Sequence, residues 1–241
     1  MRFPVACMAL CLAALAVGCL EYRETIRMEA NGSGHATIVI SGPSNWFLRS
    51  TGHEGFKRDR ALELLSRRAI QERFEAHGLT LTRYETSRND SVWTWTMGYH
   101  FVTIEAFRQS RENGRGVALR RTGEGSYEIE LYAPVERYAR ELFSLRDGAE
   151  NEGRSAGALL DDASFLVTLE MPTRVISAPG AARTANRAAF SWRYDSADTT
   201  FQAPPMRAIF DADGLRWPVF ETLPDEDFDE EPYLGPSHYM D

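Results

Sequence analysis

Residues 91–101, SVWTWTMGYHF, alternate between large apolar and polar side chains along most of their length. Successive side chains of a β-strand point to opposite faces, so one face would carry Trp93, Trp95, Met97, Tyr99 and Phe101. The other face would carry mainly threonine and histidine. A strand with one apolar and one polar face is typical of an antiparallel sheet that is covered on a single side.

Similar patterns on both sides of this stretch predict further strands of the same sheet. Residues 22–40 predict a hairpin that turns at residues 31–34, Asn-Gly-Ser-Gly, because these residue types are favoured in tight turns. A second hairpin is predicted around residues 123–125, Gly-Glu-Gly. Further strands are predicted from residue 79, at residues 165–171 and at residues 190–194.

Two main helices are predicted on one face of this sheet. The first spans residues 59–77, with Asp59 as its N-cap, a broad apolar stripe, and Gly78 just beyond its end. The second spans residues 135–146, and a short helix is predicted near residues 103–111. The predicted fold class is α+β, with an antiparallel sheet of about seven strands and two main helices packed on one face.

The beginning of the sequence carries a signal of another kind. Residues 3–17 are almost wholly apolar and uncharged, which is the length of a signal-peptide core and short of the roughly 20 residues of a membrane-spanning helix. Residues 15–19, Leu-Ala-Val-Gly-Cys, resemble the lipobox of bacterial lipoproteins. That resemblance implies a diacylglyceryl group on the Cys19 sulfur and cleavage just before this residue. Two alternatives stay open: an ordinary signal peptide with a cysteine at the cut, and an uncleaved membrane anchor.

This interpretation divides the chain into a signal peptide (1–18), a lipid-anchored α+β domain (19–222) and an acidic disordered tail (223–241). Cys19 would be the only cysteine left after cleavage, so neither an intramolecular disulfide nor a cysteine metal cluster is expected. Acyl chains on Cys19 would hold the protein on a membrane of the cell envelope. Leu20, in place of an aspartate, favours the periplasmic face of the outer membrane in an organism with two membranes.

The charge of the chain is concentrated at its C-terminal end. Residues 221–241 contain eight acidic side chains and no arginine or lysine, so their charge of −8 equals the net charge of the whole chain. The body is therefore close to neutral, and we expect no nucleic-acid binding, which requires a basic face. The acidity and prolines of the tail are typical of a disordered segment.

Part of the body resembles a family of envelope proteins. Residues 170–192, EMPTRVISAPGAARTANRAAFSW, and the first hairpin are similar to LppM-like mycobacterial envelope lipoproteins. The shared features are a cysteine-led hairpin with a Gly-Ser-Gly turn, a Pro-x-x-Val-x-x-x-x-Gly stretch and a strand ending in tryptophan. The matching positions here are Cys19, residues 32–34, Pro172, Val175, Gly180 and Trp192. The resemblance implies an α+β envelope domain able to hold a lipid or glycolipid.

No motif in the sequence specifies a reaction. The patterns HExxH and Ser-x-x-Lys are absent, and no two histidines lie three or four residues apart. Residues 153–157, Gly-Arg-Ser-Ala-Gly, match GxSxG by residue type, but they fall in a polar, glycine-bearing stretch that predicts a loop rather than the strand-to-helix turn of a nucleophile elbow. Two carboxylate pairs, at residues 161–162 and 195/198, suit helix ends and turns as well as a glycosidase site. Residues 211–214, Asp-Ala-Asp-Gly, favour a β-turn over a calcium loop. We therefore predict no enzyme, no cofactor and no metal site.

The aromatic residues of the predicted strands are the candidate binding residues: Trp93, Trp95, Tyr99, Phe101, Phe190 and Trp192. They have two interpretations, as a plain hydrophobic core or as the partial lining of an elongated pocket for an acyl chain or a sugar face. The sequence favours a non-catalytic lipoprotein of the cell envelope that binds a lipid or glycolipid. The alternatives are a scaffold that binds an envelope protein partner through its acidic tail or loops and, third, a hydrolase of envelope polymers.

Overall fold

The computed structural model describes residues 20–43, 66–89, 91–111, 116–123, 125–132, 163–193 and 206–220. The strands in these ranges are β1 (Glu21–Met28), β2 (Gly34–Pro43), β3 (Leu79–Arg88), β4 (Val92–Phe101), β5 (Val117–Arg121), β6 (Ser126–Leu131), β7 (Ser164–Glu170), β8 (Val175–Ser177), β9 (Ala182–Arg183), β10 (Arg187–Arg193) and β11 (Met206–Asp211). The helices are α1 (Arg67–Ala76) and α2 (Ile104–Ser110).

Seven strands form one sheet, here called sheet A, in the order β3-β4-β2-β1-β7-β10-β9. Neighbouring strands are antiparallel except β1 and β7, which run parallel from Glu21 beside Ser164 to Arg27 beside Glu170. The prediction of a purely antiparallel sheet is therefore wrong, and sheet A is mixed. The physical reason is that alternation shows which face a side chain occupies but not in which direction the neighbouring strand runs.

Four further strands form a separate antiparallel sheet, here called sheet B, in the order β5-β6-β11-β8. The segment after β11 ties this sheet to the first hairpin. The hydroxyl of Tyr127 donates to the carbonyl of Trp217 at 3.1 Å, and the indole N–H of Trp217 donates to the carbonyl of Ala30 at 3.0 Å. The strands that the sequence suggested for one sheet are thus divided between two.

The core is a single cluster of apolar side chains from both sheets and both helices. Trp95, Met97, Tyr99 and Phe101 lie on the buried face of β4, which confirms the one-sided strand predicted from residues 91–101. The helices contribute Ile70 and Phe74 from α1 and Ile104 and Phe107 from α2. Burial of each large side chain contributes about 1.5–3 kcal/mol to the free energy of folding.

Helix α1 begins at Arg67, later than the start near residue 59 that the sequence pattern predicted. Its N-cap is Ser66, which is extended (φ −65°, ψ 151°) and accepts a hydrogen bond from the N–H of Ala69. An extended capping residue starts a helix, so Ser66 replaces Asp59 as the N-cap of α1. Residues 59–65 lie outside the described residues. The end of the helix agrees with the prediction, because Gly78 follows it with a positive φ of 72°.

Helix α2 confirms the short helix predicted near residues 103–111. Its N-cap is Thr103, whose hydroxyl accepts a hydrogen bond from the N–H of Ala106 at 3.1 Å. The helix predicted at residues 135–146 lies outside the described residues. Of the helices in the described ranges, none combines the length and the apolar character that a bilayer crossing requires.

Candidate functional site

The inner face of sheet A carries a row of large side chains near the end where β1 begins. Backbone pairing aligns one residue from each of five neighbouring strands across the sheet. These five residues, four of them aromatic, are here called the aromatic row: Trp95, Ile40, Tyr22, Phe165 and Trp192. At a strand spacing of about 4.8 Å, the row extends for about 19 Å.

Ring contacts occur at both ends of the aromatic row. Phe165 stacks on Trp192 with centroids 5.5 Å apart, and Tyr22 lies 6.2 Å from Phe165. At the other end, Trp95 lies 6.0 Å from both Trp93 and Tyr84. These separations are in the range in which aromatic pairs attract beyond simple burial.

The structure brings together only part of the aromatic set predicted from the sequence. Tyr99 and Phe101 pack against rings of α1 and α2 at centroid distances of 5.1 and 4.9 Å. At that position, side chains of the protein itself fill the space between helix and sheet. Trp93 and Trp192 are half-buried. The remaining members of the set are at most 5% exposed: Trp95, Tyr99, Phe101 and Phe190.

The aromatic row lies close to the predicted attachment point. Cys19 is outside the described residues, but Tyr22 follows it by three residues, and a chain of that length spans at most about 11 Å. Leu20 is half-buried against the core, and its carbonyl accepts a hydrogen bond from the N–H of Ser164 at 2.8 Å. This contact fixes the start of β1 beside the start of β7. An anchor on Cys19 would hold this end of sheet A near a membrane.

Sheet A also contains a buried ion pair that the sequence did not predict. Glu24 of β1 pairs with Arg111, which follows α2, and their side chains are 0% and 6% exposed. Glu24 also accepts hydrogen bonds from the hydroxyls of Tyr22 at 3.1 Å and Tyr99 at 3.5 Å. The signal in the sequence was that Glu24, an acidic residue, shares one face of the alternating strand with Tyr22, Ile26 and Met28.

The surroundings of Arg111 favour its charged state. Burial by itself would lower the pKa of the Arg111 guanidinium, but the charge of Glu24, the interactions with Tyr99 and Tyr22 and the hydrogen bond to Glu24 together more than offset this and raise the pKa well above its ordinary value. The guanidinium also lies 5.0 Å from the ring of Phe107. Two of its nitrogens, Nε and Nη1, have no hydrogen-bond partner among the described residues. Because both charges are enclosed by protein, we interpret the pair as a structural element rather than a reaction centre.

Of the other predicted features, one is present in the structure and the rest lie outside the described residues. The turn predicted at residues 211–214 is present one position later, at residues 212–215, where the N–H of Leu215 donates to the carbonyl of Ala212 at 2.9 Å and Gly214 has a φ of 72°. The carboxylate pairs at residues 161–162 and 195/198, and the tail at 223–241, lie outside the described residues. A concavity on the solvent face of α1 is lined by polar and charged side chains and contains none of the predicted aromatic residues.

Within the described ranges, no three histidine, cysteine, aspartate or glutamate side chains come together in an arrangement that could hold a metal ion.

Comparisons with known proteins give a weak likeness of fold. No protein-family model matches the chain, and no curated protein is significantly similar to it. Among solved structures, the folded domain of the Mycobacterium tuberculosis protein LppM, determined by NMR, is similar with 12% sequence identity and a TM-score of 0.45. The match covers 81% of this chain and 91% of that domain. At this distance the likeness indicates a weak relation of fold and nothing about ligands.

Proposed function

We propose that this chain is a non-catalytic protein of the cell envelope, attached to a membrane through acyl chains on Cys19, whose aromatic row binds an amphiphile. The observation that carries the proposal is the position of the row at the end of sheet A where β1 begins, since Tyr22 follows Cys19 by only three residues, a chain length of at most about 11 Å. Leu20 would direct the protein to the outer membrane in an organism with two membranes.

The chemistry of the row suits a lipid or glycolipid. Aromatic rings present flat apolar faces for acyl chains or sugars, and tryptophan adds an N–H group that suits the boundary between lipid and water. Trp192 closes one end of the row, and Trp93 lies beside the other end, two residues from Trp95 along β4, with ring centroids 6.0 Å apart. Both indoles are half-buried. These two indoles are therefore the positions at which a bound molecule would first contact the row.

Replacement of Trp192 by glutamine should reduce the amount of lipid that remains bound to the protein by about tenfold. An aromatic contact contributes about 1.5 kcal/mol at most beyond its buried area, which corresponds to roughly a factor of ten in affinity. The measurement is mass spectrometry of non-covalent lipids extracted from the protein after purification from its native host.

The matched control is Arg193→Gln. Arg193 is the next residue of β10, is exposed, and points to the opposite face of sheet A. We expect wild-type protein and Arg193→Gln to retain the same lipid. Wild-type protein that carries no lipid, or equal retention in Trp192→Gln and Arg193→Gln, would contradict the binding proposal and leave the membrane anchor as a separate question.

A further inference from the structure

Two histidines from different parts of the sequence meet on the outer face of sheet A. His35 of β2 is directly opposite His100 of β4 in the antiparallel pairing, and their ring centroids are 4.7 Å apart with planes inclined by 45°. Neighbouring residues of each strand, Ala36 and Tyr99, point into the core. The imidazoles therefore project away from the core, where His35 is exposed and His100 is half-buried.

This arrangement has the geometry of a chelate. Neutral imidazole is a preferred ligand of Cu²⁺, Ni²⁺ and Zn²⁺, and a metal–nitrogen bond is about 2.0–2.1 Å long. Two rings whose centres are 4.7 Å apart can direct one nitrogen each toward a common ion. The hydrogen-bonded strands already hold both residues side by side, so little conformational entropy is lost when an ion binds.

The surroundings of the pair tolerate a cation. On the flanking strands, Arg27 of β1 is opposite His35 and Thr80 of β3 is opposite His100. Arg27 is paired with Glu29, with 3.1 Å between Nε and Oε1, so its positive charge is locally matched. No third side chain of the metal-binding types joins the two histidines in the described part of the chain, so water would complete the coordination.

We propose that His35 and His100 form a two-imidazole binding site for a divalent transition metal on the outer face of sheet A. The site is distinct from the aromatic row, which lies on the inner face. Cu²⁺ should bind most tightly, because nitrogen ligands bind it more strongly than the other divalent ions of the first transition series. Binding should weaken as the pH falls, because protons and metal compete for the same nitrogens.

Calorimetric titration of the full-length protein in detergent with Cu²⁺ tests this site, using the variants His35→Gln, His100→Gln and, as a control, His77→Gln. His77 is the C-cap residue of α1 and does not lie on the two strands that carry the histidine pair. Loss of an outer-shell partner alone weakens metal binding tenfold or more, so loss of either ligand should weaken the tightest Cu²⁺ site at least about tenfold. His77→Gln should bind as the wild type does.

Electron paramagnetic resonance of the one-to-one Cu²⁺ complex distinguishes the chelate from an isolated histidine. We expect two coupled imidazole nitrogens in the wild type and in His77→Gln, and one in either of the other variants. The proposal is overturned if the wild type shows a single nitrogen, or if His35→Gln and His100→Gln bind Cu²⁺ as tightly as His77→Gln. Unchanged thermal unfolding of the variants would show that any lost binding does not arise from lost structure.

Discussion

Replacement of Glu24 by glutamine is expected to lower the free energy of unfolding by about 3–5 kcal/mol. Glutamine keeps the shape of the side chain but removes the only negative charge that faces Arg111 in the described structure. The guanidinium would then be buried with two nitrogens already unpartnered and no counter-charge. Thermal unfolding followed by circular dichroism should show a fall of roughly 10 °C in Tm.

Two further variants separate the charge effect from a general sensitivity of β1. Glu21→Gln makes the same chemical change on the same strand, but Glu21 is 41% exposed in a surface pair with Arg23, so the loss should be below about 1 kcal/mol. The double variant Glu24→Leu with Arg111→Met removes both charges and should recover most of the lost stability. A Glu24→Gln protein as stable as Glu21→Gln would contradict this account of the buried pair.

Replacement of Gly34 by alanine is expected to destabilise the protein by about 3 kcal/mol, at the upper end of overpacking effects. Gly34 begins β2 opposite both Met28 and Phe101. An added Cβ would lie closer than 3.0 Å to the carbonyl oxygen of Arg27 and to the Phe101 ring. The backbone atom cannot move without breaking the hairpin, and Phe101 is fully buried, so neither neighbour can give way.

The matched control for this variant is Gly125→Ala in the second hairpin. Nothing lies within 4 Å of the position that a Cβ would take at Gly125, and its φ is not in the left-handed region. Alanine there should leave stability unchanged or raise it slightly, because it restricts the unfolded chain. Chemical denaturation of both variants measures the difference, and equal stabilities would contradict the close packing at Gly34.

Local patterns in the sequence predicted several elements of the fold. The alternation of residues 91–101 predicted the buried face of β4 because a strand side chain can point only to one face or the other. The turn at residues 31–34 and the positive φ of Gly78 were predictable because few residue types adopt those backbone conformations. The start of α1 was not, because Asp59 and Ser66 are both acceptable N-caps and only tertiary packing decides between them.

Features that depend on strand pairing could not be predicted in this way. The parallel pairing of β1 with β7 joins residues about 140 positions apart, and no local pattern encodes that partnership. The same pairing places Tyr22 and Phe165 between Trp95 and Trp192, so the aromatic row was visible only in part. His35 and His100 are 65 positions apart and meet only through the register of β2 and β4. Spacing rules for helical metal ligands could not detect them.

Mass spectrometry of the intact protein from its native host tests the proposed membrane attachment most directly. We expect the mass of residues 19–241 increased by a diacylglyceryl group, with or without a further amide-linked acyl chain, and no such increase in a Cys19→Ser variant. Acyl chains contribute about 0.8 kcal/mol per buried CH₂, so the protein should also remain with the membrane fraction in high salt. An unmodified Cys19, or a chain that retains residues 1–18, would contradict the account.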